Sequence, residues 1–194
     1  MPGPDPRQVI SEHLGAPRVV FSNSAAPGAQ GWRSQLSRGG MGADATTIQF
    51  IKDRGIPRRQ VHAVVFDTTD GLRMRYTCYL AQDETGAWRF HGGAGGGADG
   101  DHLLARADPW VNLGGGGWPT NFFAGGTVLD NGQGVTRVRL TAANGTVLED
   151  SVEDDVVLFV TDQPVELPLQ AELYNRSGQV VGRHKAFKLT KRQG

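Results

Sequence analysis

The chain has 194 residues, with 20 Lys and Arg against 20 Asp and Glu, so its formal net charge is zero. A 150-residue chain already hides roughly 68–70% of its unfolded surface, so this length supports a core without staples, in one domain or in two small ones sharing an interface. The charge balance argues against nucleic acid and anionic membranes as partners, and no apolar run approaches the roughly 18–20 residues of a membrane span.

Cys78 is the single cysteine, which excludes an internal disulfide and any zinc site built on several thiolates. The N-terminus, MPGPDPRQVISEHLGAP, lacks the apolar core of a secretory leader. A cytoplasmic protein is expected, although a mature secreted domain would look the same. The 28 glycines are about double the usual share of roughly 7%. Glycine weakens helices and strands, so the excess is expected mostly in turns and loops.

Helical signal is confined to DPRQVISEHL (5–14). Asp5 can cap it and Pro6 suits the first helical position, with Val9, Ile10, His13 and Leu14 on one face. Residues 15–45 read as irregular, with RVVF (18–21) as a short strand. From residue 46 the pattern is β. TTIQFI (46–51) is a short strand. QVHAVVFDT (60–68) and LRMRYTCYLA (72–81) alternate as half-buried strands, joined at TTDG, and DETG turns the chain into AWRFHG (87–92). Over 60–92 this predicts a three-stranded meander. Residues 92–126, with their glycine runs and two aromatic islands, DPWVNL and WPTNFF, are the expected boundary between two halves.

After that boundary, GTVLDN (126–131), VTRVRLTAA (135–143), TVLEDSV (146–152), VVLFVT (156–161), LPLQAELY (167–174) and QVVGRHKAF (179–187) read as strands. Asn144-Gly145 is a strong hairpin signal, since both residues tolerate positive φ. Val135, Arg137, Arg139 and Thr141 are expected on the wet face, opposite Thr136, Val138, Leu140 and Ala142. The spacing of turns favours a sandwich.

Two hairpins here, VTRVRLTAANGTVLEDSV and YNRSGQVVG, resemble those of bacterial immunoglobulin-like or fibronectin-like modules, over residues 118–187. The resemblance implies a β-sandwich. It implies no activity and carries over no functional residue, because this architecture hosts many functions. The antibody-type cysteine pair and its core tryptophan are missing. The expected fold is therefore all-β: an antiparallel β-sandwich, immunoglobulin-like in its C-terminal half (108–190), preceded by a β-meander half (46–107) and an irregular N-terminal arm with a short helix (1–45).

Several stretches could carry chemistry. HGGAGGGADGDHLL (91–104) offers His91, Asp99, Asp101 and His102 as nitrogen and oxygen ligands. Its D-x-D start resembles a calcium loop, but the glutamate needed at the twelfth position is absent. A nonapeptide calcium repeat works by stacking, and only one copy is present. The phosphate-loop ending G-K-[ST] is also missing. A glycine-rich surface connector is the expectation, with Asp99, Asp101 and His102 as the residues that would hold calcium or another divalent cation. The acidic run EDSVEDD (149–155) reads as a solvated strand end or a second cation site. Cys78 reads as a buried, inert thiol unless His62 faces it from the paired strand.

The aromatics Trp110, Trp118, Phe122 and Phe123 form the expected binding surface, for a protein partner or a second copy of the chain, because large exposed apolar patches mark interfaces. A non-catalytic binding or structural protein without a required cofactor is therefore expected. The alternative is a small metal-dependent hydrolase using His91, Asp99, Asp101 and His102.

Overall fold

The computed structural model describes residues 4–17, 40–97 and 107–187. The described residues form one helix, α1 (Pro6–Gly15), a single 3₁₀ turn (Ala45–Thr47) and eleven strands: β1 (Gln49–Ile56), β2 (Arg59–Asp67), β3 (Arg73–Gln82), β4 (Trp88–Gly97), β5 (Trp110–Gly116), β6 (Phe123–Leu129), β7 (Val135–Ala142), β8 (Val147–Ser151), β9 (Val156–Val160), β10 (Leu169–Asn175) and β11 (Val180–Phe187). All the strand pairs are antiparallel. Among the described residues no helix is long and apolar enough to cross a membrane.

The strands form three sheets. The first runs β1-β2-β3-β4, the middle one β5-β6-β9, and the outer one β11-β10-β7-β8. Helix α1 lies on the far face of the first sheet, so the order through the molecule is helix, first sheet, middle sheet, outer sheet. The helix starts as its sequence requires: Asp5 accepts from the Arg7 amide at 2.9 Å, and Pro6 takes the first turn. Ile10 and Leu14 are fully buried against Val64, Phe66, Cys78 and Leu80 of the first sheet, and His13 stacks on Phe90 at 3.7 Å.

The expected half-buried strand over 60–68 is instead buried on both faces. Val64 and Phe66 lie under the helix, while Val61 and Ala63 join Tyr79, Phe123, Val156 and Leu158 in the core shared with the middle sheet. Strand β9 is covered in the same way. Val156 and Leu158 face the first sheet, whereas Val157 and Phe159 face the outer one. A strand between two dry faces reads as a continuous apolar run, which is how VVLFV reads.

The glycine excess does not sit in turns and loops alone, and the connector expected at 91–104 is a strand over 91–97. The meander has four strands, and β4 carries HGGAGGG as a strand paired with β3 as far as Met74↔Gly97. The reason is steric. A Cβ on Gly93 would come 2.3 Å from the Tyr76 ring, and one on Gly95 would come 2.3 Å from the Arg75 carbonyl oxygen. The run GGG at 114–116 likewise belongs to β5, where a boundary between two halves was expected. A Cβ on Gly115 would strike the Phe123 carbonyl at 2.2 Å, and one on Gly125 of β6 would strike the Thr77 hydroxyl at 2.4 Å. These glycines mark where backbone and neighbouring strands approach closely. The strand expected at 18–21 lies outside the described residues.

The middle and outer sheets enclose the largest core, with Phe122, Val138, Leu140, Leu169 and Leu173 at its centre. Val135 belongs to it too, contrary to the expected alternation. The β7–β10 ladder shifts register where Tyr174↔Arg137 gives way to Asn175↔Val135, and this bulge turns Val135 inward. Beyond the bulge the outer face is wet: Arg137 and Arg139 share Glu149 and lie over the Tyr174 ring, and Glu172 holds Arg183. The hairpin at Asn144-Gly145 forms, but only Gly145 is left-handed, at φ 84°. Its N–H donates to the Ala142 carbonyl at 3.0 Å, so the loop is a three-residue turn closed by a left-handed glycine. TTDG, DETG and NRSG close in the same way, at Gly71, Gly86 and Gly178.

Candidate functional site

The four aromatics of the expected surface do not share one place. Phe122 and Phe123 are neighbours across the start of β6, so their side chains point to opposite faces. Phe122 is fully buried in the sandwich core, within 6.0 Å of the Phe187 ring. Phe123 faces the first sheet and stacks on Tyr79, with ring centroids 4.7 Å apart and planes 2° from parallel. Trp110, at the start of β5, stacks on His184 at 3.4 Å. Trp118 is 37% exposed and packs edge-on against Phe187 at 5.4 Å.

Two open clefts stand out among the described residues. The larger, about 630 Å³, runs between Pro109–Trp110 and Val180–Arg183. Its one basic side chain, Arg183, is already answered by Glu172, whose carboxylate accepts from Nε at 2.9 Å. The smaller, about 520 Å³, opens where the first sheet meets the middle one, and residues from five separate segments converge there. Arg58 and Arg59 come from the β1–β2 hairpin, Tyr79 and Gln82 from β3, His91 from β4, and Asn121, Phe123 and Asp162 from the middle sheet and its flanks. We take the smaller cleft as the candidate site because it gathers more unanswered chemistry.

Its construction is local at one end only. Ile56 pairs with Arg59, leaving Pro57 and Arg58 as the two central turn residues. Arg58 is left-handed, at φ 65°. This is the position of a proline-led type II turn that normally takes Gly or Asn. The Arg58 guanidinium donates to the Asp83 carbonyl at 2.7 Å, and Arg59 donates to the Thr120 carbonyl at 3.2 Å. Tyr79 is buried and lines the cleft. Burial pushes its phenol up, and the nearby Arg59 charge pulls it partly back. His91 is exposed and meets the Tyr79 ring edge-on at 6.2 Å.

Of the expected metal-binding residues, Asp99, Asp101 and His102 lie outside the described residues. His91 sits on β4 at the cleft rim. Among the described residues no group of three His, Cys, Asp or Glu side chains is placed to hold a metal ion.

The acidic run is answered by the chain's own cations rather than left solvated. Asp150 is buried and meets Lys52 and Arg54, each at 2.7 Å. Glu153 binds Arg54, and Glu149 accepts from Arg137 at 3.0 Å. Asp154 and Asp155 form the turn into β9, both left-handed, a primed hairpin turn that Asp tolerates.

His62 and Cys78 are register partners across β2 and β3. Burial pushes the Cys78 thiol up and the His62 imidazole down, so both neutral forms are favoured. The His62 Nε2 meets the Gln60 side-chain oxygen at 2.9 Å. The pair is core, and a thiolate nucleophile there would have to ionise in apolar surroundings.

Sequence reasoning missed Arg58, Arg59, Tyr79, Asn121 and Asp162 as site residues. The one readable signal was Arg58, a bulky residue after a turn proline. Comparison with protein-family models, with curated proteins and with solved structures finds no match for this chain.

Proposed function

We propose that this chain is a non-catalytic binding protein whose ligand sits in the cleft between the first and middle sheets. The observation that carries the reading is the convergence of Arg58, Arg59, Tyr79, His91 and Asn121 on one cleft of about 520 Å³. Ligand sites are concave and combine an apolar wall with a few placed polar groups. Here the Tyr79–Phe123 stack supplies the wall.

The scaffold reading is an immunoglobulin-like sandwich over β5–β11. Its support is the strand order: the second strand of the seven pairs with the fifth, and the third pairs with the sixth and the fourth. That is the neighbour pattern of the Greek-key sandwiches of this architecture. The meander sheet then covers the face of the middle sheet that an isolated sandwich would leave to solvent, and the cleft is the open end of that seam.

The test is a fragment screen on isotopically labelled protein, followed through backbone amide shifts. Binders are expected to move the amides of Arg59, Tyr79, His91 and Asn121 together. Hits that cluster elsewhere, or no hits at all, would remove the reading.

A further inference from the structure

We propose that the cleft is a receptor for a small organic oxyanion, a carboxylate or a phosphate ester, seated on the guanidinium of Arg59 with the Tyr79 hydroxyl and the Asn121 amide as further donors. The inference rests on the cleft being a binding site and adds the chemistry of what binds.

Most arginines among the described residues meet a carboxylate: Arg54 is answered by Asp150, Arg73 by Asp67, Arg139 by Glu149 and Arg183 by Glu172, while Arg75 donates to the Thr127 hydroxyl. Arg58 and Arg59 are adjacent, yet their partners are the backbone carbonyls of Asp83 and Thr120. A carbonyl fixes the direction of a guanidinium without cancelling its charge. Each guanidinium has five N–H donors in a planar fork, so most remain available to a bidentate anion, the geometry that Arg suits best.

The rest of the lining points the same way. The Tyr79 hydroxyl and the Asn121 and Gln82 side chains make no hydrogen bond among the described residues, and Asp162 is the one carboxylate lining the cleft. Two fixed positive charges against one negative leave a net positive lining in a chain of zero net charge. Arg58 also holds a left-handed backbone at φ 65°, a position where glycine would relieve the turn. An outlier kept in a side chain that faces a cleft is the kind of observation from which a functional role is inferred.

The experiment titrates the full chain with benzoate, phenyl phosphate and uncharged benzyl alcohol at low salt, by calorimetry and amide shifts. Benzoate or phenyl phosphate is expected to bind at least about tenfold tighter than benzyl alcohol, the size of one charge-assisted bidentate contact. Added salt should weaken that binding. Whichever anion binds more tightly identifies the carboxylate or the phosphate source. Arg59→Gln should abolish the preference, Arg59→Lys should retain part of it, and Asp162→Asn should tighten anion binding by removing the opposing charge. Arg176→Gln, outside the cleft, should change nothing. The thermal midpoint of each variant checks that it folds.

Equal affinity for all three probes, with shifts still in the cleft, overturns the oxyanion assignment and leaves the cleft a binding site. Weaker anion binding in Asp162→Asn overturns the assignment as well. The absence of cleft shifts with any probe overturns the oxyanion assignment alone, while the wider fragment screen decides the cleft itself.

Discussion

The ammonium of Lys52, on β1 of the first sheet, lies 2.7 Å from the carboxylate of Asp150, on β8 of the outer sheet, and their side chains are 0% and 4% exposed. A β-bulge after Phe50 turns Lys52 inward. Its Nζ also donates to the Val156 carbonyl at 3.2 Å, and Asp150 accepts the Leu158 amide at 2.7 Å. The pair thus ties the meander to the hairpin that feeds the middle sheet. Breaking a buried pair by removing one partner costs about 3–5 kcal/mol, because a bare charge stays behind. Asp150→Asn is expected to approach that loss, since it leaves the buried Lys52 ammonium with the half-exposed Glu153 carboxylate at 3.5 Å in place of its close partner. Lys52→Met should lose less, since Asp150 keeps Arg54 and the Leu158 amide. Urea unfolding of both variants checks this order, and a Lys52→Met loss as large as that of Asp150→Asn would contradict it.

The same cluster sets an acid limit. The Arg54 guanidinium, with the Ser151 hydroxyl, holds the Glu153 carboxyl down to about 2 from its ordinary 4.5. Arg139 first, then Arg137, lower Glu149 as well. Folded values below unfolded ones mean that the unfolded chain binds more protons as the solution is acidified. The stabilisation is therefore complete above about pH 4.5 and is lost as pH falls toward about 2. Thermal midpoints between pH 6 and 2 should fall through that window. Arg54→Ala should flatten the fall, and an unchanged slope in that variant would remove Glu153 from the explanation.

Much of the fold was legible because its signals are local. Asp5 and Pro6 announced the helix, the turn glycines Gly71, Gly86, Gly145 and Gly178 marked the hairpins, and Cys78 alternated with Leu80 on a dry face. The features that were lost depend on partners far along the chain. Gly93 and Gly95 look like a loop until the Tyr76 ring is laid over them. Lys52 looks solvated until Asp150 arrives, and the bulges near Ile51 and Thr136 shift the side-chain phase that period-two reading assumes. The cleft was hidden for the same reason, since Arg59, Tyr79, His91 and Asp162 share no spacing. Phe122 and Phe123 could have been separated at once, because neighbours on a strand never face the same way.

Cys78 should be silent in the native protein. It is fully buried, and burial pushes its thiol above the ordinary range. Only the thiolate reacts with alkylating or disulfide reagents. Iodoacetamide at pH 8 is expected to leave the folded chain unmodified and to label one thiol in urea. Native labelling at the rate of a free cysteine would show that the His62–Cys78 pair opens and ionises.

The strand assignment of HGGAGGG has its own sharp test in two adjacent glycines. A Cβ on Gly95 would lie 2.3 Å from the Arg75 carbonyl oxygen and 2.8 Å from the Tyr76 Cα, whereas a Cβ on Gly96 meets nothing within 4 Å. The Tyr76 ring also lies 2.7 Å away, but the Arg75 carbonyl and the Tyr76 Cα are backbone and cannot step aside. Gly95→Ala should therefore destabilise by about 1–3 kcal/mol, the usual range for overpacking. Gly96→Ala should stabilise by about 0.4–1 kcal/mol, because alanine narrows the unfolded ensemble at an unstrained position. Both are read as shifts in the urea midpoint. A connector without ordered pairing would respond alike to the two changes, so opposite signs at neighbouring positions are the mark of a strand packed under Tyr76.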